Sequence, residues 1–298
     1  MMKNPLSYEG CRVVVTGAGS GMGQATALLL KELGAEVVAI DIQKPKNDFH
    51  SFKQVDLRDK KAIEQVVNEI AKEGKVNNLF YCAGLPGQKF PDFDVFTVNY
   101  LSLRYMSELF VTKMGKGDAI ANVSSGASMG YLFNAGNVQA VVEMGTDYDK
   151  VLEWLKKPRR EVPDWYEPYT FSKQCSVFWT MQSAKKLTMT TGVRINITSP
   201  GPTDTAMMPT FVENQRKGFF DEYPKPIEGR NSRPEEQAWP LVFLGSPLAS
   251  YISGENVFTD GGTCAGMLSG VIDTAPMMSP PGEMAERRRK AKELYGND

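Results

Sequence analysis

Apolar residues recur along the chain in two alternating patterns. Short runs of strand length, most of them rich in β-branched residues, lie at residues 11–16, 36–40, 51–55, 77–81, 118–123, 193–198 and 256–259. Longer stretches between them, residues 24–33, 58–73, 96–114, 165–186 and 234–244, carry apolar residues at three- and four-residue spacing with charges on the remaining positions. Strand-like runs alternating with helical ones predict βαβ units, and near-continuous apolar strands suit a sheet covered on both faces. The expected fold is therefore α/β: one doubly wound, Rossmann-type parallel sheet of about seven strands with helices on both faces.

Two stretches interrupt this rhythm. Residues 126–168 hold two short helical patterns, 137–145 and 147–157, followed by Pro158, Pro163 and Pro168. Residues 203–231 are rich in Met, Phe, Pro and charge with poor periodicity, as in a lid over a binding cleft; Met207, Met208, Phe211, Phe219 and Phe220 suit either a substrate cover or an ordinary apolar flap. The expected organisation is one domain over residues 1–268, with a helical insertion at 126–168 and a lid at 203–231. A tail follows at 269–298, Pro-rich at 277–282 and helical and charged at 283–294.

At 298 residues the chain is long enough for a large core, and 42% hydrophobic with 23% charged residues is ordinary for a globular enzyme. A net charge of -1 gives no electrostatic case for nucleic acid or anionic membrane. The basic run Arg287, Arg288, Arg289, Lys290 and Lys292 is interleaved with acidic residues, so it reads as a solvated or subunit-contacting tail. The amino end lacks the pattern of a signal peptide, and no apolar run is long enough to span a membrane, which points to the cytoplasm. Cys11, Cys82, Cys175 and Cys264 are scattered without metal or disulfide spacing, and the single His50 lies far from any nucleophile. No metal site is expected, and the sequons at Asn122 and Asn196 fall inside strand-like runs.

Candidate chemistry sits at the ends of the strands. After the first strand come Gly17, Gly19, Gly21 and Gly23 and then a helix, an arrangement that lets backbone amides approach a pyrophosphate. Asp41 ends the second strand 18 residues after Gly23, where a carboxylate accepts hydrogen bonds from a ribose and repels a 2′-phosphate. With no Arg or Lys in the glycine turn or directly after Asp41, NAD is expected over NADP, although Lys44 and Lys46 lie close by. Asp56 follows the third strand within reach of an adenine amino group, and the small residues Cys82, Ala83 and Gly84 follow the fourth. Further along, Tyr169 and Lys173 are four apart on a helix and so share one face. A cation beside a phenol lowers its pKa, and moving it from 10 to near 7 takes roughly 4 kcal/mol, which requires a partly desolvated site.

Taken together these residues resemble the short-chain dehydrogenase/reductase family, over roughly residues 10–268. The family's TGxxxGxG motif is matched by Thr16, Gly17, Gly21 and Gly23, its acidic NAD selector by Asp41, its tetrad by Asn99, Ser125, Tyr169 and Lys173, and its PGxxxT motif by Pro200, Gly201 and Thr205. The family's NAG motif appears as Cys82, Ala83, Gly84, so its Asn is replaced. By resemblance the cofactor contacts would be Thr16, Gly17, Ser20, Gly21, Met22, Gly23, Asp41, Ile42, Asp56, Leu57, Cys82, Ala83, Gly84, Tyr169, Lys173, Pro200, Gly201, Thr203 and Thr205. Tyr169 lies 44 positions beyond Ser125, against about a dozen in most of the family. A smaller group, similar to bacterial 3α-hydroxysteroid dehydrogenase/carbonyl reductase and coniferyl-alcohol dehydrogenase, carries such an insertion. In the steroid enzyme it covers a helix surface otherwise used for dimerisation, so a homodimer or homotetramer is expected here, with an assembly that differs from the usual tetramer.

The resemblance implies reversible hydride transfer between an alcohol carbon and NAD. Tyr169 would take the alcohol proton, Lys173 would hold the nicotinamide ribose, Ser125 would hydrogen-bond the substrate oxygen, and Asn99 would hold a water linking Lys173 to solvent. Trp154, Trp165, Tyr166, Phe211 and Phe219 offer aromatic area for a bulky ring compound. The expected substrate is a small apolar alcohol or ketone: a hydroxysteroid or other alicyclic alcohol, with an aryl allylic or terpenoid alcohol as the alternative. A catalytically idle NAD-binding regulator is the remaining reading.

Overall fold

The computed structural model describes residues 6–87, 89–156, 168–214, 223–225 and 227–272. Seven strands, β1 (Arg12–Thr16), β2 (Glu36–Asp41), β3 (Ser51–Gln54), β4 (Asn78–Tyr81), β5 (Ala119–Val123), β6 (Arg194–Pro200) and β7 (Asn256–Thr259), form one parallel sheet in the order β3-β2-β1-β4-β5-β6-β7. Strands β1, β4, β5 and β6 are buried at every position, so the centre of the sheet is covered on both faces. The chain reverses its direction of winding between β1 and β4, so a crevice opens past their carboxyl ends.

Helix α1 (Gly21–Glu32) and the Pro234–Gly245 helix cover one face of the sheet around Val13, Val15, Leu30, Phe80 and Leu241. Helix α2 (Lys60–Glu73) covers the other face with the helical elements that follow β4 and β5, around Ile63, Leu79, Phe96, Phe110, Ile120 and Phe171. Asp59 caps α2, accepting hydrogen bonds from the Lys61 and Ala62 amides.

The single helix expected over residues 96–114 is instead broken. It consists of α3 (Asp92–Phe96), a π-helical turn (Thr97–Leu101) and α4 (Ser102–Val111). Apolar spacing persists across one extra residue, so the sequence pattern hides the bulge. Side chains mark it: Tyr81 Oη donates to the Val98 carbonyl at 2.8 Å, and Asn99 is bound to Leu85 within the turn.

The insertion begins with a 3-10 segment (Gly126–Asn134) that the sequence reading left unassigned. It continues as α5 (Ala135–Glu143) and α6 (Tyr148–Lys156), each within two residues of expectation. It docks on α4 and on α7 (Pro168–Thr191). Arg104 Nη1 donates to the Val142 carbonyl at 2.6 Å, Lys60 Nζ donates to the Thr146 carbonyl at 2.7 Å, and the Tyr148 ring meets Tyr105 edge-on at 6.4 Å. Trp154 stacks on Phe171 at 5.6 Å against the core. That corrects its assignment to the substrate wall: the apolar stripe of α6 faces α7, and Trp154 belongs to that stripe. Trp165 and Tyr166, like the expected first turn of the 165–186 helix, lie outside the described residues.

Within the lid one helix, α8 (Met208–Asn214), is described, and a bridge between Thr203 and Ser232 closes the lid's base. Phe219 and Phe220 lie outside the described residues. A short helix, Thr263–Leu268, follows β7 and has no counterpart in the sequence reading. The expected tail helix at 283–294 is also outside the described residues.

His50 is half-exposed on the surface beside Glu36, the four cysteines are free, and Asn122 and Asn196 are fully buried in the sheet. Among the described residues no helix is long and apolar enough to cross a membrane, and no cluster suited to a metal ion is present.

Candidate active site

The crevice between β1 and β4 is built by close backbone approach. Gly17, at φ +69°, lies so near the turn after β4 that a Cβ there would come within 2.9 Å of the Ala83 backbone. Gly23 packs the start of α1 against the glycine turn after β1; a Cβ there would strike the Gly17 carbonyl oxygen at 2.1 Å. Thr16, fully buried, accepts from the Ala83 amide at 3.2 Å and ties the two turns together. Ser20 precedes α1 with its side chain exposed, and Gly21, at φ +56°, faces the Thr205 methyl across the groove.

Asp41 sits at the far end of this groove. Its Oδ2 accepts from the Gly19 amide at 2.8 Å and its Oδ1 from the Gln43 amide at 3.0 Å, which fixes the carboxylate between the glycine turn and the end of β2. Ile42, next along, is exposed. Asp56 is engaged by Arg58, whose guanidinium reaches both carboxylate oxygens and also Asp94; hydrogen bonding to Arg58 holds the Asp56 carboxyl below its ordinary range. Leu57 points into the core, where its carbonyl accepts from Ser102 Oγ.

Past β4 and β5, Asn99, Tyr169 and Lys173 lie close together, and Ser125 follows directly after Ser124, which is bonded to the same helix as Lys173. Lys173 is nearly fully buried; its Nζ donates to the Val123 carbonyl at 3.1 Å and lies 5.7 Å from the centre of the Tyr169 ring. Burial pulls the Lys173 ammonium down to about 8, with nearby Cys82 opposing the shift; burial likewise pushes the Cys82 thiol up to about 12. Ser124 Oγ donates to the Lys173 carbonyl at 2.9 Å and so fastens α7 to the end of β5. Ser125 follows in extended geometry, its Oγ accepting from the Ala127 amide at 3.2 Å. Asn99 reaches the same place from the π turn: Oδ1 accepts from Leu85 N at 2.8 Å and Nδ2 donates to Leu85 O at 3.0 Å. Gly84 closes the set, since a Cβ there would lie 3.1 Å from Asn99 Oδ1 and 3.7 Å from Lys173 Nζ.

The sequence matches two family descriptions in tandem, short chain dehydrogenase over residues 12–137 and Enoyl-(Acyl carrier protein) reductase over residues 159–264. It is 31% identical to the coniferyl-alcohol dehydrogenase of Pseudomonas sp. (strain HR199 / DSM 7063), over 84% of this chain and 95% of that one. The chain belongs to the short-chain dehydrogenase family. Another relative, the 3-alpha-hydroxysteroid dehydrogenase/carbonyl reductase of Comamonas testosteroni, is 29% identical over 86% of this chain and 97% of its own. The fold matches the crystal structure of the 3-alpha-hydroxysteroid dehydrogenase from Pseudomonas sp. B-0831 complexed with NADH, with a TM-score of 0.72 at 24% identity over 87% of this chain and 98% of that one.

A short-chain dehydrogenase uses a nicotinamide cofactor, and the crevice fits a dinucleotide. The glycine turn leaves backbone where side chains would otherwise stand, the α1 amino end faces the groove, and Asp41 is held at the end of β2. Of the other expected contacts, Met22 is half-buried against the core, Ala83 follows β4 beside Gly17, and Pro200 and Gly201 lie at the end of β6. Thr203 is buried, donating to the Gly201 carbonyl or sharing a hydrogen with Ser232, and serves the lid's base. Thr205 faces the glycine turn.

The structure shows what the lid residue Phe211 meets, and adds Tyr223 and Cys264, to which the sequence reading assigned no role at the site. Phe211 on α8 meets the Tyr169 ring edge-on at 5.1 Å. Tyr223, in the lid, lies beside Gly126, Cys264 and Asp260, and burial raises its phenol above the ordinary range. Cys264 Sγ lies 3.9 Å from the Gly126 carbonyl oxygen. Only the turn Asp260 to Gly262 marked this region in the sequence.

Proposed function

We propose that the protein is an NAD-dependent dehydrogenase interconverting a secondary alcohol and its ketone on a bulky apolar substrate, of the hydroxysteroid or alicyclic kind. The observation that carries this reading is the Phe211 ring set edge-on to Tyr169: an aromatic wall stands at the group that handles the proton. An aryl allylic alcohol is the second reading, favoured by the 31% identity to a coniferyl-alcohol dehydrogenase.

A bound nicotinamide ring would supply the hydride acceptor. Gly17, Gly21 and Gly23 would hold its pyrophosphate, and Asp41 would hold the adenosine ribose and repel a 2′-phosphate, hence NAD. Tyr169 Oη would remove the alcohol proton, with the Lys173 cation stabilising the phenolate. The Ser125 Oγ–H would donate to the substrate oxygen and balance charge developing there. The Asn99 amide is committed to Leu85, so its part is to fix Gly84 and Leu85 beside Lys173; any water it holds falls to its main chain.

A steady-state panel of steroid, alicyclic, terpenoid and cinnamyl alcohols with NAD and NADP tests the reading. Turnover with NAD on a ring alcohol supports it. Tight NADH binding with no turnover on any alcohol or ketone would instead point to a binding protein.

A further inference from the structure

Ser125 stands just past the end of β5, while Tyr169 and Lys173 stand on α7, so their spacing depends on how that helix sits along that strand. Phe171 and Cys175 hold α7 on the core, and apolar packing of this kind is non-directional. Register has to come from directional bonds.

Three oxygens supply them. Ser124 Oγ donates to the Lys173 carbonyl at 2.9 Å, and Ser176, three residues further along α7, brings its Oγ to 2.8 Å from that carbonyl and 3.2 Å from Ser124 Oγ. Both serines are buried, 3% and 0% exposed, so bulk water does not compete for these bonds. Each hydroxyl has one proton: with that of Ser124 given to the carbonyl, that of Ser176 goes to the carbonyl or to Ser124 Oγ, and the triangle stays joined either way. Lys173 Nζ meanwhile donates to the Val123 carbonyl at 3.1 Å. Two consecutive residues, Val123 and Ser124, thus hold Lys173 by its ammonium and by its main chain.

We infer that Ser124 and Ser176 are positioning residues of the active site, their triangle with the Lys173 carbonyl fixing where α7 presents Tyr169 and Lys173 relative to Ser125. The inference rests on the dehydrogenase reading above and deepens it. Because Ser124 directly precedes Ser125, one bond ties the serine assigned to the substrate oxygen to the residue that sets a cation 5.7 Å from the Tyr169 ring centre. Without the triangle α7 keeps its apolar packing and loses its register. A misplacement of about 1 Å in a catalytic site costs up to about 100-fold in rate. A cation drawn away from the phenol also stabilises the phenolate less, so proton removal moves to higher pH.

The test uses the full chain, NAD and a ring alcohol that the wild type oxidises, with kcat and kcat/KM followed against pH and NADH binding followed by fluorescence. Ser124→Ala is expected to lower kcat by about 10-fold or more. It is also expected to move the acid limb of kcat/KM to higher pH, by about 0.3 unit for each ångström the ammonium withdraws at an effective dielectric constant of about 20. Among the described residues, Cys82 is the other titratable group acting on Lys173; its thiol keeps its proton up to about 12, which leaves the acid limb to the Tyr169–Lys173 pair. Ser176→Ala is expected to move both readouts the same way by less, since the Ser124 bond to the carbonyl remains. Alanine favours a helix, so Ser176→Ala decides alone should Ser124→Ala fail to bind NADH. A lower kcat with the acid limb in its wild-type place marks general loosening and overturns the inference, as does an unmoved kcat; the dehydrogenase reading stands in both cases. A wild type that binds NADH and oxidises no alcohol overturns both.

Discussion

Lys173 Nζ donates to the Val123 carbonyl at 3.1 Å, and that bond holds an ammonium in a site almost without water. Burial favours the neutral amine, so the folded pKa drops to about 8 from its ordinary value of 10.5. Between those two values the unfolded chain binds more protons than the folded one, so stability rises with pH across that window. Thermal melts of the protein without cofactor are expected to show Tm increasing from pH 8 to 10, and a Lys173→Met variant is expected to lose that slope.

The same burial makes Lys173 a residue kept for function at a cost to stability. Lys173→Met removes a buried charge while keeping the volume. It is expected to raise Tm at pH 7 by about 2–4 °C, the shift that 1 kcal/mol gives in a chain somewhat smaller than this one. Turnover is expected to fall by about 100-fold or more, the usual worth of a general acid–base device. A variant with lower Tm and intact turnover would remove Lys173 from the proton path.

Phe211 of the lid lies 5.1 Å from the Tyr169 ring, edge-on. An aromatic pair is worth about 0.5–1.5 kcal/mol beyond its area. Phe211→Ala is expected to raise KM for ring alcohols several-fold and to leave a short-chain alcohol nearly unaffected, as read from steady-state kinetics on both.

Asp41 is expected to decide the cofactor. Its carboxylate is fixed by the Gly19 and Gln43 amides, where a 2′-phosphate would bring a second negative charge. Asp41→Ser is expected to weaken NAD and shift the NAD-to-NADP ratio of kcat/KM toward NADP by about 10-fold, or 1.4 kcal/mol. An unchanged ratio would place the selector elsewhere.

How much of this was legible in the sequence depended on the range of the interactions involved. The seven strands were readable because short strand-length stretches alternate with helical ones, and β1 and β5 came within one residue of expectation. The glycine turn and the Tyr169–Lys173 pair were readable because their spacing is local. The π turn was not, since one extra residue between Phe96 and Ser102 leaves apolar spacing intact and shows itself only through Tyr81 and Leu85. Trp154 misled because helical spacing tells which residues share a face but not what that face meets. Tyr223 and Cys264 were silent: sheet order brings the turn after β7 beside Gly126, and the lid, which lacks periodicity, brings Tyr223. Asp56 carried no sign that Arg58, two residues on, would occupy its carboxylate.

The central claim is that Tyr169 moves the proton of an alcohol oxidised by NAD. Its most direct test is NADH formation by wild type and Tyr169→Phe on the best ring alcohol of the panel, with NADH binding measured in parallel. Turnover in the wild type is expected, with a loss of about 100-fold or more in the variant while NADH still binds. A variant that binds NADH and keeps a large part of wild-type turnover would contradict the account.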